Sequence, residues 1–274
     1  MTAVLLLTLS AALHAWWNFL VKRSGTADVL FVWLYCVLAA PVAVAVLLVT
    51  GPGPAWWAAL VSMLLHTGYA ITLQRAYSGA DLGVVYPVSR GAAPVLVLAV
   101  SAPFVGVPSA PELVGIVLVV AGLALMSGPV RPGAGGLAAV VAGLGVAAFI
   151  TAYTLWDAFA ITSLDVAPLP YLAVSSLAQA VLLTVVALPH RARVPAVTRT
   201  HWRAALAVTV LVPAAYGLVL VAMELAPPAV IAAGRALNVV FAALVGIWLL
   251  HEPRTPRTLG GTAVIVAGAL ALAL

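Results

Sequence analysis

Two arginines of this 274-residue chain lie inside segments that are otherwise apolar. Arg90 and Arg235 each fall within about 20 mostly apolar residues, the length that crosses the hydrocarbon core of a bilayer. An arginine at the centre of a membrane helix costs about 2.5–3.5 kcal/mol on insertion scales, whereas its guanidinium offers carboxylate or phosphate a planar fork of donors. We therefore predict that one or both arginines bind an anionic group. The alternative is that they form ion pairs with Asp157 and Glu224 that lock the helices together, and ion pairs that open as a gate would combine both roles.

Other polar residues recur at helical spacing in the same kind of segment. His14 and Asn18 are four residues apart and share one face of a helix, which Lys22 continues to the helix end. Polar faces are costly against lipid, so we expect such faces to converge on one interior cavity. For each residue, above all a tyrosine, a hydrogen bond between helices is the competing explanation. The candidate binding residues are His14, Trp17, Asn18, His66, Tyr69, Tyr86, Arg90, Tyr153, Asp157, Tyr216, Arg235 and Asn238.

Chemistry other than ligand binding has little support in the sequence. Cys36 is the single cysteine, which excludes an internal disulfide and a cysteine-based metal site. The His-Glu-x-x-His, Asp-rich diphosphate and Gly-x-Ser-x-Gly patterns of membrane enzymes do not occur. We therefore predict no enzyme activity, no metal and no cofactor. Because a histidine changes charge near physiological pH, His14 and His66 are candidate proton carriers, although a buried histidine more often only satisfies hydrogen bonds.

The composition places the chain in a membrane. Hydrophobic residues make up 65% of it and charged residues only 7%, whereas about a quarter of the residues of a soluble domain are charged. Breaks at glycine, proline and charged clusters predict an all-α integral membrane protein with ten transmembrane helices, because lipid offers backbone polar groups no partner. The predicted limits are 3–22, 29–49, 55–76, 82–106, 110–128, 135–159, 167–189, 201–224, 228–250 and 256–273. Only the connection from 189 to 201 is long.

The cations predict the orientation of these helices. Ten of the twelve lie in or beside odd-numbered loops, and by the positive-inside rule these loops are cytoplasmic and both termini lie outside a plasma (inner) membrane. The bilayer is then the partner that explains the net charge of +5, and nucleic acid is not expected. The ten cations are Lys22, Arg23, Arg75, Arg131, Arg191, Arg193, Arg199, Arg203, Arg254 and Arg257.

An internal repeat relates the two halves of the chain. A shift of 145 positions aligns Arg90 with Arg235, and it also aligns Pro108 with Pro253 and Pro111 with Pro256. The Gly-x6-Gly pattern of 115–122 recurs at 261–268. We predict two five-helix repeats, residues 1–130 and 131–274, which must be inverted because five is odd. Coincidence in a chain rich in Ala, Val, Leu and Gly is the alternative.

In this order, the motifs resemble the drug/metabolite transporter superfamily, in particular its EamA-type bacterial members. The resemblance rests on the two halves that each close on a Gly-x6-Gly helix, on Leu249-Leu-His-Glu252-Pro before the last segment, and on Trp16-Trp17-Asn18 with Lys22 in the first. It covers essentially the whole chain, except that Gly106-Val-Pro108 replaces the Gly-Glu expected before the fifth helix. The resemblance implies export or exchange of amino acids, nucleotide-like compounds or other small metabolites.

Two transport functions and one other role follow as hypotheses. The first is a secondary carrier that exports or exchanges a small polar, anionic or zwitterionic metabolite, such as an amino acid, by alternating access at a central cavity. The alternative is multidrug or cationic compound efflux by proton antiport, for which Asp157 would replace the carboxylate that helix 1 lacks. A scaffold or sensor without transport would be favoured if no continuous cavity surrounded Arg90 and Arg235.

Overall fold

A computed structural model describes residues 1–24, 29–79, 82–126, 134–249 and 255–274, and within these ranges the chain forms helices and no strand. A 3-10 helix, Leu188–Arg193, precedes the eighth α-helix. The helices are α1 Thr2–Ser24, α2 Val29–Thr50, α3 Trp57–Gly79, α4 Leu82–Val105, α5 Ala110–Met126, α6 Ala134–Thr162, α7 Pro168–Ala187, α8 Val194–Met223, α9 Pro228–Gly234, α10 Leu237–Leu249 and α11 Pro256–Ala271. The predicted all-helical fold is confirmed.

Several of these helices are long and apolar enough to cross a membrane. Six such segments occur among the described residues, so the chain is a multi-pass membrane protein. Their limits are Thr2–Arg23, Val29–Thr50, Val84–Val105, Gly135–Thr162, Pro168–Met223 and Pro228–Leu249. The predicted count of ten crossings stays a prediction, because α3 is not among these six segments and α5 and α11 have only 17 and 16 residues in helix.

The connection predicted between 189 and 201 is mostly helical, which corrects the sequence-based limits. The 3-10 helix follows α7 directly, and α8 begins at Val194 rather than at 201. Pro195 lies in the first turn of α8, where a proline is tolerated because the missing N–H has no partner there in any helix. The 30 residues of α8 span about 45 Å, so its first turns extend beyond a hydrocarbon core of about 30 Å.

The predicted membrane segment 228–250 occurs as the span Pro228–Leu249, but its helix is interrupted at Arg235, between α9 and α10. The Arg235 N–H still donates to the carbonyl of Ile231 at 3.0 Å, four residues back. The next bonds reach back only three residues, from Ala236 to Ala233 at 3.0 Å and from Asn238 to Arg235 at 3.2 Å. This tighter turn places Arg235 at a break in the helix, where a change in hydrogen-bond pattern often marks a functional position.

The helices pack in a pattern that a two-fold axis would generate. Helix α2 packs on α7 and α5 packs on α11, and each pair joins helices that the predicted repeat would make equivalent. The contact of α1 with α8 has its counterpart in that of α3 with α6, and α4 with α6 has its counterpart in α1 with α10. Helix α4 also packs on α9.

Helices α5 and α11 approach each other at reciprocal glycines. A methyl group added to Gly115 would lie 2.8 Å from the carbonyl oxygen of Gly268, and one added to Gly268 would lie 2.8 Å from that of Gly115. Gly122 and Gly261 face each other in the same way, at 2.8 and 2.7 Å. The order of the pairs shows that α5 and α11 run antiparallel. The repeated Gly-x6-Gly pattern therefore forms an interface in which backbone contacts backbone.

Candidate functional site

A cavity of about 300 Å³ lies between the helices, enclosed by residues from both halves of the chain. Helices α1 to α4 contribute on one side, and α6, α7, α8 and the junction of α9 with α10 contribute on the other. Nine of the predicted binding residues line it: His14, Trp17, His66, Tyr69, Arg90, Tyr153, Tyr216, Arg235 and Asn238. Arg90 and Arg235 thus share one continuous cavity, the opposite of the arrangement that would favour a scaffold.

Tyrosines hold both arginines in the cavity wall. Arg90 donates from Nη2 to the hydroxyl of Tyr69 at 3.0 Å, and Arg235 donates from Nη2 to the hydroxyl of Tyr153 at 3.1 Å. The Arg235 guanidinium carbon also lies 5.1 Å from the ring centroid of Tyr153 and 5.5 Å from that of Tyr216. These ring contacts stabilise a cation without neutralising it, so the positive charge of Arg235 stays available to a ligand.

Asp157 does not pair with either arginine in the described part of the chain. Its carboxylate is fully buried behind the cavity wall, so it does not line the cavity as predicted. It accepts a hydrogen bond at Oδ1 from the Tyr171 hydroxyl at 2.6 Å and one at Oδ2 from the Tyr216 hydroxyl. The Nε2 atom of His66 lies 3.4 Å from Oδ2. The other proposed partner, Glu224, is exposed at the end of α8.

Four buried polar atoms lack a hydrogen-bond partner among the described residues, and three of them belong to residues that line the cavity. They are Nη1 of Arg235, Nε2 of His66, Oδ1 of Asn238 and Oγ1 of Thr154. Buried polar groups in folded proteins are nearly always paired with protein, water or ligand. Their concentration at one cavity therefore indicates that a polar ligand or water completes the bonding there.

Asn18 and Tyr86 lie outside this cavity, so the expectation of one common cavity is wrong for them. They line a second cavity of about 390 Å³, together with Lys22, Thr258 and small residues of α10. The cause is geometric: residues four apart share a helix face but differ in depth by about 6 Å. That distance carries α1 from His14 to Asn18, and α4 from Arg90 to Tyr86, out of one cavity and into the other.

Further polar residues of the cavity wall were not predicted. Helix α7 contributes Ser175, Ser176 and Gln179, and Ser10 and Tyr35 complete the set. Ser175 and Gln179 are four residues apart, the same helical spacing that pointed to His14 with Asn18. Applied to the predicted seventh helix, that spacing would have found them.

An all-helical membrane fold with a polar cavity between its halves defines a class of protein that handles a small solute inside the bilayer. The EamA-like transporter family matches residues 137–274, half of the chain. The chain belongs to this family, and with it to the drug/metabolite transporter superfamily.

A solved crystal structure has the same fold over nearly all of the chain. It is similar with a TM-score of 0.77, and the match covers 98% of this chain and 95% of that one. The two sequences are 19% identical, so the likeness concerns the fold alone. No curated protein matches the sequence.

Proposed function

We propose that this membrane transporter is a secondary carrier that exports or exchanges a small anionic or zwitterionic metabolite, such as an amino acid. The observation that carries the proposal is the pair Arg90 and Arg235 in one cavity, each bonded to a tyrosine hydroxyl, while Asp157 accepts its bonds from Tyr171 and Tyr216. The Nη1 atom of Arg235 is buried and has no hydrogen-bond partner among the described residues. A substrate carboxylate is the group that a guanidinium in this state recognises best.

Two inverted repeats of five helices, residues 1–130 and 131–274, are part of the proposal. The helix pairs that pack together support it. When each helix is replaced by its counterpart in the other proposed repeat, every major helix–helix contact becomes a contact that also occurs. The glycine interface supports it as well, because the same exchange turns the pair Gly115 and Gly268 into the pair Gly261 and Gly122. Inverted repeats allow a carrier to present one site alternately to the two sides of a membrane.

The two cavities suggest where the closed side of the path lies. We define the septum as the three single turns that separate them, 14–18 on α1, 86–90 on α4 and 238–242 on α10. Each turn has one end in the central cavity and the other in the second cavity. Since Lys22 lines the second cavity, the proposed orientation with both termini outside makes this the cytoplasmic vestibule. Opening of the septum would release substrate to that side.

Efflux of lipophilic cations is the second candidate function. The aromatic wall of the cavity, which includes Trp17, Tyr35 and Tyr153, favours it because ring faces attract cations. The two arginines oppose it, and the buried carboxylate of Asp157 already accepts hydrogen bonds at both oxygens.

Uptake into proteoliposomes tests the proposal. Labelled amino acids, small organic anions and lipophilic cations are offered to the wild type and to Arg90→Gln and Arg235→Gln. Hydrogen bonds to a charged group contribute about 1.5–3 kcal/mol, so each variant is expected to raise the half-saturating concentration of a carboxylate substrate by roughly 10- to 100-fold.

Arg203→Gln is the matched control, because Arg203 is exposed near the start of α8 and contacts the ring of Trp202. It is expected to transport like the wild type. Carboxylate flux that survives in both cavity variants would refute the binding role of the arginines, and flux of cations alone would establish the second candidate instead.

A further inference from the structure

We propose that His66 and Asp157 form a proton-binding site behind the wall of the central cavity, and that this proton is the coupling ion of the carrier. The inference rests on the proposed carrier function for its purpose, but the site itself is argued from the geometry of the two side chains. Proton binding adds H⁺ to His66 Nε2, and proton release returns it to water in the cavity.

The distance between the two groups fits a bond that a proton would complete. His66 Nε2 and Asp157 Oδ2 are 3.4 Å apart. In the described part of the chain Nε2 makes no bond of hydrogen-bond geometry. With a proton on Nε2, this nitrogen becomes a donor aimed at a carboxylate oxygen, and charge-assisted bonds of this kind are about twice as strong as neutral ones.

The surroundings of Asp157 assign the proton to the imidazole. Tyr171 donates to one carboxylate oxygen and Tyr216 donates to the other, so both oxygens already accept a hydrogen bond. A buried carboxylate requires such donors to remain charged. The imidazole of His66 is therefore the place in this pair where a mobile proton can be added.

Exposure gives the proton a route. The side chain of His66 is 23% exposed and lines the cavity, whereas that of Asp157 is 0% exposed. A proton from the cavity therefore reaches the imidazole ring first, and His66 Nε2, which is itself buried, faces Asp157. His66 is the exchanging group and Asp157 is the fixed charge that stabilises it.

The site also communicates with the proposed substrate site. The ring of His66 lies 4.2 Å from that of Tyr153 and 4.8 Å from that of Tyr216, centroid to centroid. Arg235 contacts the same two rings from its own side. A charge gained by His66 is thus felt at Arg235, which links proton binding to substrate binding.

Every helix around the pair contributes titratable or charged groups to this field. They are His14 on α1, Tyr69 on α3, Arg90 on α4, Tyr153 on α6, Tyr171 on α7, Tyr216 on α8 and Arg235 between α9 and α10. Of these, the two arginines are cationic, and Asp157 is the acidic group that lies next to His66.

Infrared difference spectroscopy tests the site without any substrate. The full-length protein in lipid is titrated from neutral to acidic pH, and the carboxylate and imidazole bands are followed. In the wild type the imidazole bands are expected to change on protonation of His66. The band of the ionised Asp157 carboxylate is expected to shift at the same midpoint, because the protonated Nε2 becomes its hydrogen-bond donor. The carboxylate change should be lost in Asp157→Asn and also in the milder His66→Gln, which keeps the Asp157 side chain.

Glu224→Gln is the matched control, since Glu224 is an exposed carboxylate at the end of α8. It is expected to leave the common midpoint in place. A wild type without a carboxylate change, or a His66→Gln variant that retains it, overturns the proposal. If no compound is transported but the titration appears, the proposed function fails and the proton-binding site stands. If a compound is transported but the titration does not appear, the proton-binding site fails and the proposed function stands.

Discussion

Adjacent glycines on α11 provide a sharp test of how the two halves are joined. A methyl group added to Gly261 would overlap Cγ of Met126 and would lie 2.7 Å from the carbonyl oxygen of Gly122 and 3.1 Å from the backbone nitrogen of Met126. Backbone atoms cannot move aside as the end of a side chain can, so α5 and α11 would have to separate. Gly260, the preceding residue, is different, because a methyl group there would meet only Leu125 Cδ2 at 3.4 Å, an ordinary van der Waals contact.

These distances determine the sign of each substitution. Overpacking typically costs about 1–3 kcal/mol, and because two of the three closest contacts at Gly261 involve backbone atoms we expect a value near the upper end. Replacing glycine by alanine within a helix contributes about 1 kcal/mol in favour of folding. Gly261→Ala should therefore lower the free energy of unfolding by roughly 2 kcal/mol, whereas Gly260→Ala should leave it unchanged or raise it by up to about 1 kcal/mol.

Unfolding by sodium dodecyl sulfate in mixed micelles, followed by the fluorescence of the eight tryptophans, measures both variants. The double variant Gly122→Ala with Gly261→Ala adds a second test. It should lose less stability than the sum of its single variants, because both force the same two helices apart. The interface described for α5 and α11 would be refuted if Gly260→Ala were as unstable as Gly261→Ala, or if Gly261→Ala unfolded like the wild type.

Three further predictions concern the cavity, the buried carboxylate and the orientation. Gln179→Ala should raise the half-saturating substrate concentration roughly two- to tenfold in the uptake assay, the effect of one lost hydrogen bond, whereas the exposed Gln74→Ala should not. Tyr171→Phe removes one of two donors to a buried carboxylate and should lower the free energy of unfolding by about 1–3 kcal/mol in mixed micelles. Leu274 is 94% exposed at the C-terminus, which the proposed orientation places outside the cell. In a Cys36→Ala background, the variant Leu274→Cys should therefore react with an impermeant maleimide on intact cells.

Each of these has its own contrary result. Equal effects of the two glutamine variants would mean that Gln179 does not touch substrate. Tyr86→Phe is the control for Tyr171→Phe, since the Tyr86 hydroxyl has no hydrogen-bond partner within the described ranges, and a change within about 0.5 kcal/mol is expected for it. Protection of the C-terminal cysteine until the cells are opened would show that the orientation inferred from the cations is reversed.

Where sequence and structure differ, the differences occur at particular kinds of position. The predicted start of α8 at 201 is wrong because charged residues and prolines are typical of a loop, although a helix longer than the hydrocarbon core tolerates both in its first turns. The sequence does not predict the break at Arg235, because Pro227 and Pro228 are the recognisable helix breakers nearby. Those prolines lie at the start of α9. The break itself is a change of hydrogen-bond pattern, and no residue type marks its position in the sequence.

The sequence by itself determined the solvent and the secondary structure of this protein. The length of the apolar segments, the scarcity of charge and the positions of breaks can all be taken directly from the sequence. Lipid allows few backbone structures for such segments, because every backbone polar group needs a partner within the protein. The sequence also singled out Arg90 and Arg235 as candidate functional residues, because a cation in an apolar segment is costly wherever the segment packs.

Only the tertiary structure decided which polar groups meet. The rotation of each helix about its axis and its depth in the bundle are set by packing between helices, such as the glycine contacts of α5 with α11. That packing turns Asp157 toward Tyr171 and Tyr216 rather than toward an arginine, and it puts Asn18 in a different cavity from His14. The sequence shows that a polar residue in a membrane helix needs a hydrogen-bond partner, but the packing of helices distant in sequence determines which residue that partner is.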